Sequence, residues 1–172
     1  ARVTASIISW LKTNESTSGT APTTADGAAT RSDGTQRAFQ ESFLKTVLSS
    51  AWTNGGKPNT LMVGAFNKQV FSTFTGRSTP MEQATSKKIV AAVDAYESDF
   101  GTVKVVPNRF QRTRDCLVLQ DDMWALAFLP GRKMVSIPLA VTGDSTRRQI
   151  LSEYCLVSRN EKASGGDFDL TT

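Results

Sequence analysis

The chain has 172 residues, 39% of them hydrophobic, with a net charge of +4 and a pI near 9.3. That length allows one sizeable core or two lobes sharing strands, and no apolar run approaches the roughly 20 residues needed to cross a bilayer. Lys and Arg are scattered among nearly as many acids, so the charge permits nucleic-acid contact without demanding it.

In chain order, Val3, Ile7, Trp10 and Leu11 recur at helical spacing and predict an amphipathic helix ending near Asn14. Ala1 to Thr13 lacks the basic flank and apolar centre of a signal peptide. An opening on Ala with helix-like residues is expected of a piece of a longer polypeptide. Glu15 to Gly34 is almost entirely Ser, Thr, Gly, Ala, Asp and Pro and reads as a long surface loop. Thr35 is then placed to cap a helix whose buried stripe is Phe39, Phe43, Leu44, Val47, Leu48 and Trp52, stopped by Asn54-Gly55-Gly56. Core packing explains such a stripe better than a ligand pocket. Thr60 to Val63 predicts a short buried strand, and Gly64 to Phe74 a helix that stops at Gly76.

Ile89 to Val93, a reversal at Asp99-Phe100-Gly101, and Thr102 to Val106 predict a β-hairpin closed by Pro107, which cannot donate to a ladder. Cys116 to Leu119, Trp124 to Leu129 and Met134 to Leu139 read as strands of one sheet system. Gln149 to Val157 is apolar on both alternating faces, which predicts a strand covered on both sides. Strands mixed with a few helices, without a repeat, argue for an α+β protein.

The absence of histidine excludes Ser-His-Asp and Cys-His sites and histidine-ligated metals within the chain. Cys116 and Cys155 lie in apolar runs and are expected to be reduced core residues. Asp121-Asp122 reads as a turn, since neighbours on a strand point to opposite faces, and neither Gly55-Gly56 nor Gly165-Gly166 has the surroundings of a phosphate-binding loop. No catalytic residue, cofactor or metal is expected.

The segment after Pro107 carries Arg109, Phe110, Arg112 and Arg114. It can be a solvated connection, a nucleic-acid contact in which Phe110 stacks on a base, or a site of ion pairing between subunits with acids such as Asp94, Glu97 and Asp99. Asp144 with Arg147 and Arg148 reads as a turn whose charges are solvated or paired across an interface.

Several blocks carry a family resemblance in a consistent order. They are Val63 to Gly76 (VGAFNKQVFSTFTG), Ile89 to Asp94 (IVAAVD), Ser98 to Gly101 (SDFG), Val105 to Phe110 (VVPNRF), Thr142 to Ser145 (TGDS) and Arg159 to Gly166 (RNEKASGG). Together they resemble a branch of tailed-bacteriophage major capsid proteins. The resemblance implies the Hong Kong 97-type capsid fold, with most of the axial domain and part of the peripheral domain. On it, 1–29 would be a peripheral-domain helix and polar loop, 30–145 the axial domain, and 146–172 the return strand and tail of the peripheral domain. An N-terminal arm, an extended β-loop and a long spine helix would precede this part.

The resemblance further implies self-assembly into hexamers and pentamers of an icosahedral head around double-stranded DNA, without sequence specificity and without a membrane. The head would be assembled in the host cytoplasm, with scaffold, portal or decoration proteins as further partners. In that setting Arg109, Phe110, Arg112, Arg114, Asp144, Arg147 and Arg148 are candidate subunit-interface residues. An encapsulin-like cellular shell protein is the alternative within the same fold, and a nucleic-acid-binding module is a more distant one.

Overall fold

The computed structural model describes residues 4–74, 95–140 and 143–172. Short runs of branched and aliphatic residues make its centre. Strand β2 (Thr60–Val63) lies between β4 (Gly101–Pro107), which is parallel to it, and β5 (Cys116–Leu119), which is antiparallel. On one side β3 (Ala95–Ser98) forms a hairpin with β4; on the other β10 (Gly165–Asp167) pairs with β5 and takes β1 (Glu15–Ser16) as a parallel edge. The six-stranded sheet thus runs β1-β10-β5-β2-β4-β3.

The register sorts the side chains onto two covered faces. Leu61 stands between Val105 and Val118, and Val63 beside Cys116. With Val103 they pack under helix α2 (Glu41–Thr53), through Leu44, Val47 and Leu48, and under α3 (Ala65–Phe71), through Phe71. On the other face, Met62, Leu117 and Leu119 meet Ile7, Ile8, Leu11, Trp124 and Phe168. Cover on both sides is why Cys116–Leu119 is a continuous apolar run, buried at every position. Each fully buried Leu contributes about 1.5–3 kcal/mol.

Helix α2 buries Leu44, Val47, Leu48 and Ala51, the i, i+3, i+4, i+7 stripe. It stops where expected. Gly55 takes φ +83°, its N–H donates to Trp52 O at 3.0 Å, and Gly56 N–H donates to Ala51 O at 2.8 Å. Its start differs from the expectation at Thr35, because residues ahead of Glu41 are held extended against the C-terminal segment. Arg37 N–H donates to Asp169 O at 2.8 Å, and Thr171 N–H donates to Arg37 O at 2.9 Å. Phe39 therefore enters the core from outside the helix, while Phe43 is half-buried beneath the Arg37 guanidinium. Trp52 leaves the predicted stripe altogether: it is 57% exposed and packs on Phe100 with ring centroids 5.4 Å apart.

Other expectations are corrected in the same way. The first helix, α1, is the single turn Ile7–Trp10, after which Leu11 turns into the core. α3 ends at Phe71. The reversal near Asp99-Phe100 joins β4 to Ala95–Ser98, and Ile89 to Val93 lies outside the described residues, as does Gly76. The polar stretch 15–34 contains β1 and a Thr20–Ser32 bridge.

The largest departure concerns residues 124–158. Strand β6 (Trp124–Phe128) pairs antiparallel with β9 (Tyr154–Ser158), and β7 (Val135–Pro138) with β8 (Arg148–Leu151). Leu129 N–H to Glu153 O (3.1 Å) and Glu153 N–H to Arg132 O (3.0 Å) join the two pairs. The result is a bent two-stranded ribbon, so Trp124 to Leu139 does not share the Cys116–Leu119 sheet. Gln149 to Val157 is divided between two strands rather than covered on both sides. Cys155, expected in the core, is exposed on the ribbon, whereas Cys116 is buried; both are free thiols.

The architecture is α+β.

Candidate assembly surface

Two surfaces carry the candidate residues. The first is the loop after β4. Pro107 ends the strand, and Asn108 folds the chain back: its N–H donates to Val63 O at 2.9 Å, and its Oδ1 accepts from Phe110 N–H at 3.0 Å. This turn holds the Phe110 ring 90% exposed, beside an exposed Arg109 that makes no ion pair among the described residues.

Arg112 and Arg114 are occupied differently. Arg112 forks between Asp33 (2.7 Å) and Asp115 (2.8 Å), and Arg114 bonds Asp169 (3.1 Å) and Gly34 O (2.8 Å). Within the chain their acidic partners are Asp33, Asp115 and Asp169; Asp94 lies outside the described residues. The hydrogen bond from Arg112 holds the Asp33 carboxyl below the usual range. Burial raises that of Asp115, against the pull of Arg112.

Asp169 is the hub of this bracing. It has φ +60°, which Asp tolerates better than most residues, and its buried carboxylate accepts from Thr17 Oγ1 (2.8 Å), Gly19 N–H (2.9 Å) and Gly34 N–H (2.9 Å). Burial works against its charge, but the bonds from Gly34, Thr17, Gly19 and Arg114 outweigh it and lower the pKa. The polar loop is therefore pinned down, a role that composition alone does not reveal.

The second surface is the ribbon. Leu126, Leu129, Met134, Ile137, Leu139, Ile150 and Tyr154 are all exposed on it, and they make up most of the large exposed hydrophobic residues among those described. A cavity of about 460 Å³ opens at its bend, where residues 127–130 and 153–155 of the ribbon, Glu153 among them, are joined by Thr4. A two-stranded ribbon is at best marginal in water by itself, and its exposed apolar side chains lie on both faces: Ile137 pairs with Gln149 on one, Ile150 with Ser136 on the other. Asp144, Arg147 and Arg148 lie exposed toward its far end, where Arg148 stands opposite Pro138 and Leu139 N–H donates to Arg147 O at 3.0 Å.

Sequence reasoning grouped all the arginines together. The structure separates Arg112 and Arg114, which brace the loop, from Arg109 and Phe110, which it presents. The apolar ribbon was visible in the two-faced pattern of 149–157, but that pattern was read as burial. Among the described residues no His, Cys, Asp or Glu cluster is placed to hold a metal ion, and no helix is long and apolar enough to cross a membrane.

The loop presents an exposed aromatic, the ribbon carries exposed apolar side chains, and among the described residues neither holds the residues of a catalytic centre, which is the surface of a structural protein. The family follows from comparison: the model of the SU10 major capsid protein matches residues 1–171. The chain belongs to that family and is a viral structural protein, the major capsid protein of a phage, with its place in the virion. No curated protein matches the chain.

Proposed function

We propose that this chain is the repeating subunit of an icosahedral head of the Hong Kong 97 type, packing as hexamers and pentamers around double-stranded DNA. The single observation that carries the reading is the ribbon, whose apolar side chains would be covered on assembly. Arg109, Phe110, Asp144, Arg147 and Arg148 contact neighbouring subunits in this reading, and Arg112 and Arg114 hold the loop in shape from within. Identical subunits bury complementary surfaces, while hinge-like differences between parts of the chain let one sequence occupy non-equivalent positions. Scaffold, portal or decoration proteins are its further partners in this reading, and assembly takes place in the host cytoplasm.

The experiment is electron microscopy of the full-length protein carrying Leu126→Asp with Ile150→Asp, and separately Arg109→Glu. Exposed positions tolerate substitution within about 0.5 kcal/mol, so the subunits should remain folded by circular dichroism. The reading expects shells from the wild type and none, or aberrant ones, from the variants. Normal empty shells from the ribbon variant would contradict it. Normal empty shells from Arg109→Glu that fail only to package DNA would move that arginine from the interface to the interior.

A further inference from the structure

Asp167 lies at the seam where residues 15–16 and 165–167 meet. In register it stands opposite Ser16 of β1 and Cys116 of β5. Its side chain therefore shares the face of Cys116, the face under α2. Gly165, two residues earlier on that face, confirms the orientation: a Cβ there would come within 2.7 Å of Val47 in α2. Asp167 is 0% exposed, and neither carboxylate oxygen makes a hydrogen bond of normal geometry.

Every packed element offers it little. From the segment before α2 comes Arg37, whose Nη2 donates to Ser16 Oγ at 2.7 Å. From the β5 side come the Cys116 thiol and, beside it, Asp115, which is paired with Arg112. β1 supplies Glu15, paired with Arg31, whose guanidinium lies over the Phe168 ring. Buried α2 side chains are the apolar Leu44, Val47, Leu48 and Ala51. A charged carboxylate is costly in such surroundings, whereas a neutral acid is not.

We infer that Asp167 is a proton-held latch: as a neutral acid it lets β10 sit between β1 and β5, and its ionisation works to part that seam. Burial pushes this carboxyl up to about 7, with Arg37 and Ser16 opposing only in part. The chain has no histidine, so no side chain with an ordinary pKa titrates midway between pH 5 and 7. A folded-state pKa above the unfolded value means the native state holds the extra proton. Stability is then full below pH 4, is lost as pH rises toward 7, and levels off above.

The test is twofold. Urea unfolding of the purified protein should give an unfolding constant that rises about tenfold per pH unit from pH 5 to 6.5, and Asp167→Asn should flatten the slope. In parallel, the wild-type Asp167 carboxyl carbon, assigned by backbone connectivity through Phe168, should titrate by NMR with a midpoint near 7. This second measurement stands even where the Asn variant fails to fold. A midpoint near the ordinary value of about 4, or an unchanged slope in a folded Asp167→Asn protein, overturns the latch.

Discussion

Asp169 shows how much one side chain can organise. Its carboxylate joins Thr17, Gly19, Gly34 and Arg114, so the loop at 17–34, the loop at 108–114 and the C-terminal segment all depend on it. Removing one partner of a buried charged network costs about 3–5 kcal/mol, and Asp169→Ala should fall in that range by urea denaturation. Its pKa is lowered, so the stability it supplies is present above the ordinary carboxyl value and is lost as pH falls through the lowered one. Acid unfolding of Asp169→Ala should accordingly be shallower than that of the wild type, an effect opposite in sign to the one at Asp167, where stability is lost as pH rises. None of this was legible in the sequence, because Asp169 lies 150 residues from Gly19 and 55 from Arg114. Phe43 and Trp52 teach the converse. Helical spacing put them on a stripe, yet Arg37 and Phe100 take them at the rim, and only tertiary contacts decide where a stripe ends.

Elements were legible where local chemistry alone forms them. The α2 stop at Asn54-Gly55-Gly56 follows from the left-handed glycine, and the end of β4 follows from Pro107. The α2 start was hidden because backbone bonds to residues 169 and 171 hold Arg37 extended, overriding the propensity of the preceding residues. Gln149 to Val157 was misread as one strand for a related reason: a two-faced apolar pattern reports that a segment is to be covered, without saying whether the same fold or another molecule covers it. β10 is the element most sensitive to change. A Cβ on Gly165 would lie 2.3 Å from the backbone oxygen of Asn14, so Gly165→Ala should cost about 1–3 kcal/mol in chemical denaturation. A value below 1 kcal/mol would mean that the seam yields more readily than its packing suggests.

At the scale of the whole molecule, the capsid family was readable from ordered blocks spread along the chain, although periodicity and composition alone reached only α+β. What those blocks did not reveal was the contrast between a sheet buried on both faces and a ribbon that is half-buried at Trp124 and Val157 and carries most of the exposed large hydrophobic residues among those described. That contrast is the basis for treating residues 124–158 as the association surface. The native thiols report on it directly, since Cys155 is exposed on the ribbon and Cys116 is buried in the sheet. Maleimide labelling of the full-length protein before and after assembly is therefore the decisive measurement. The account predicts that Cys155 reacts in unassembled subunits and is protected in shells, with Cys116 inert in both. Equal labelling of Cys155 in subunits and shells would contradict it.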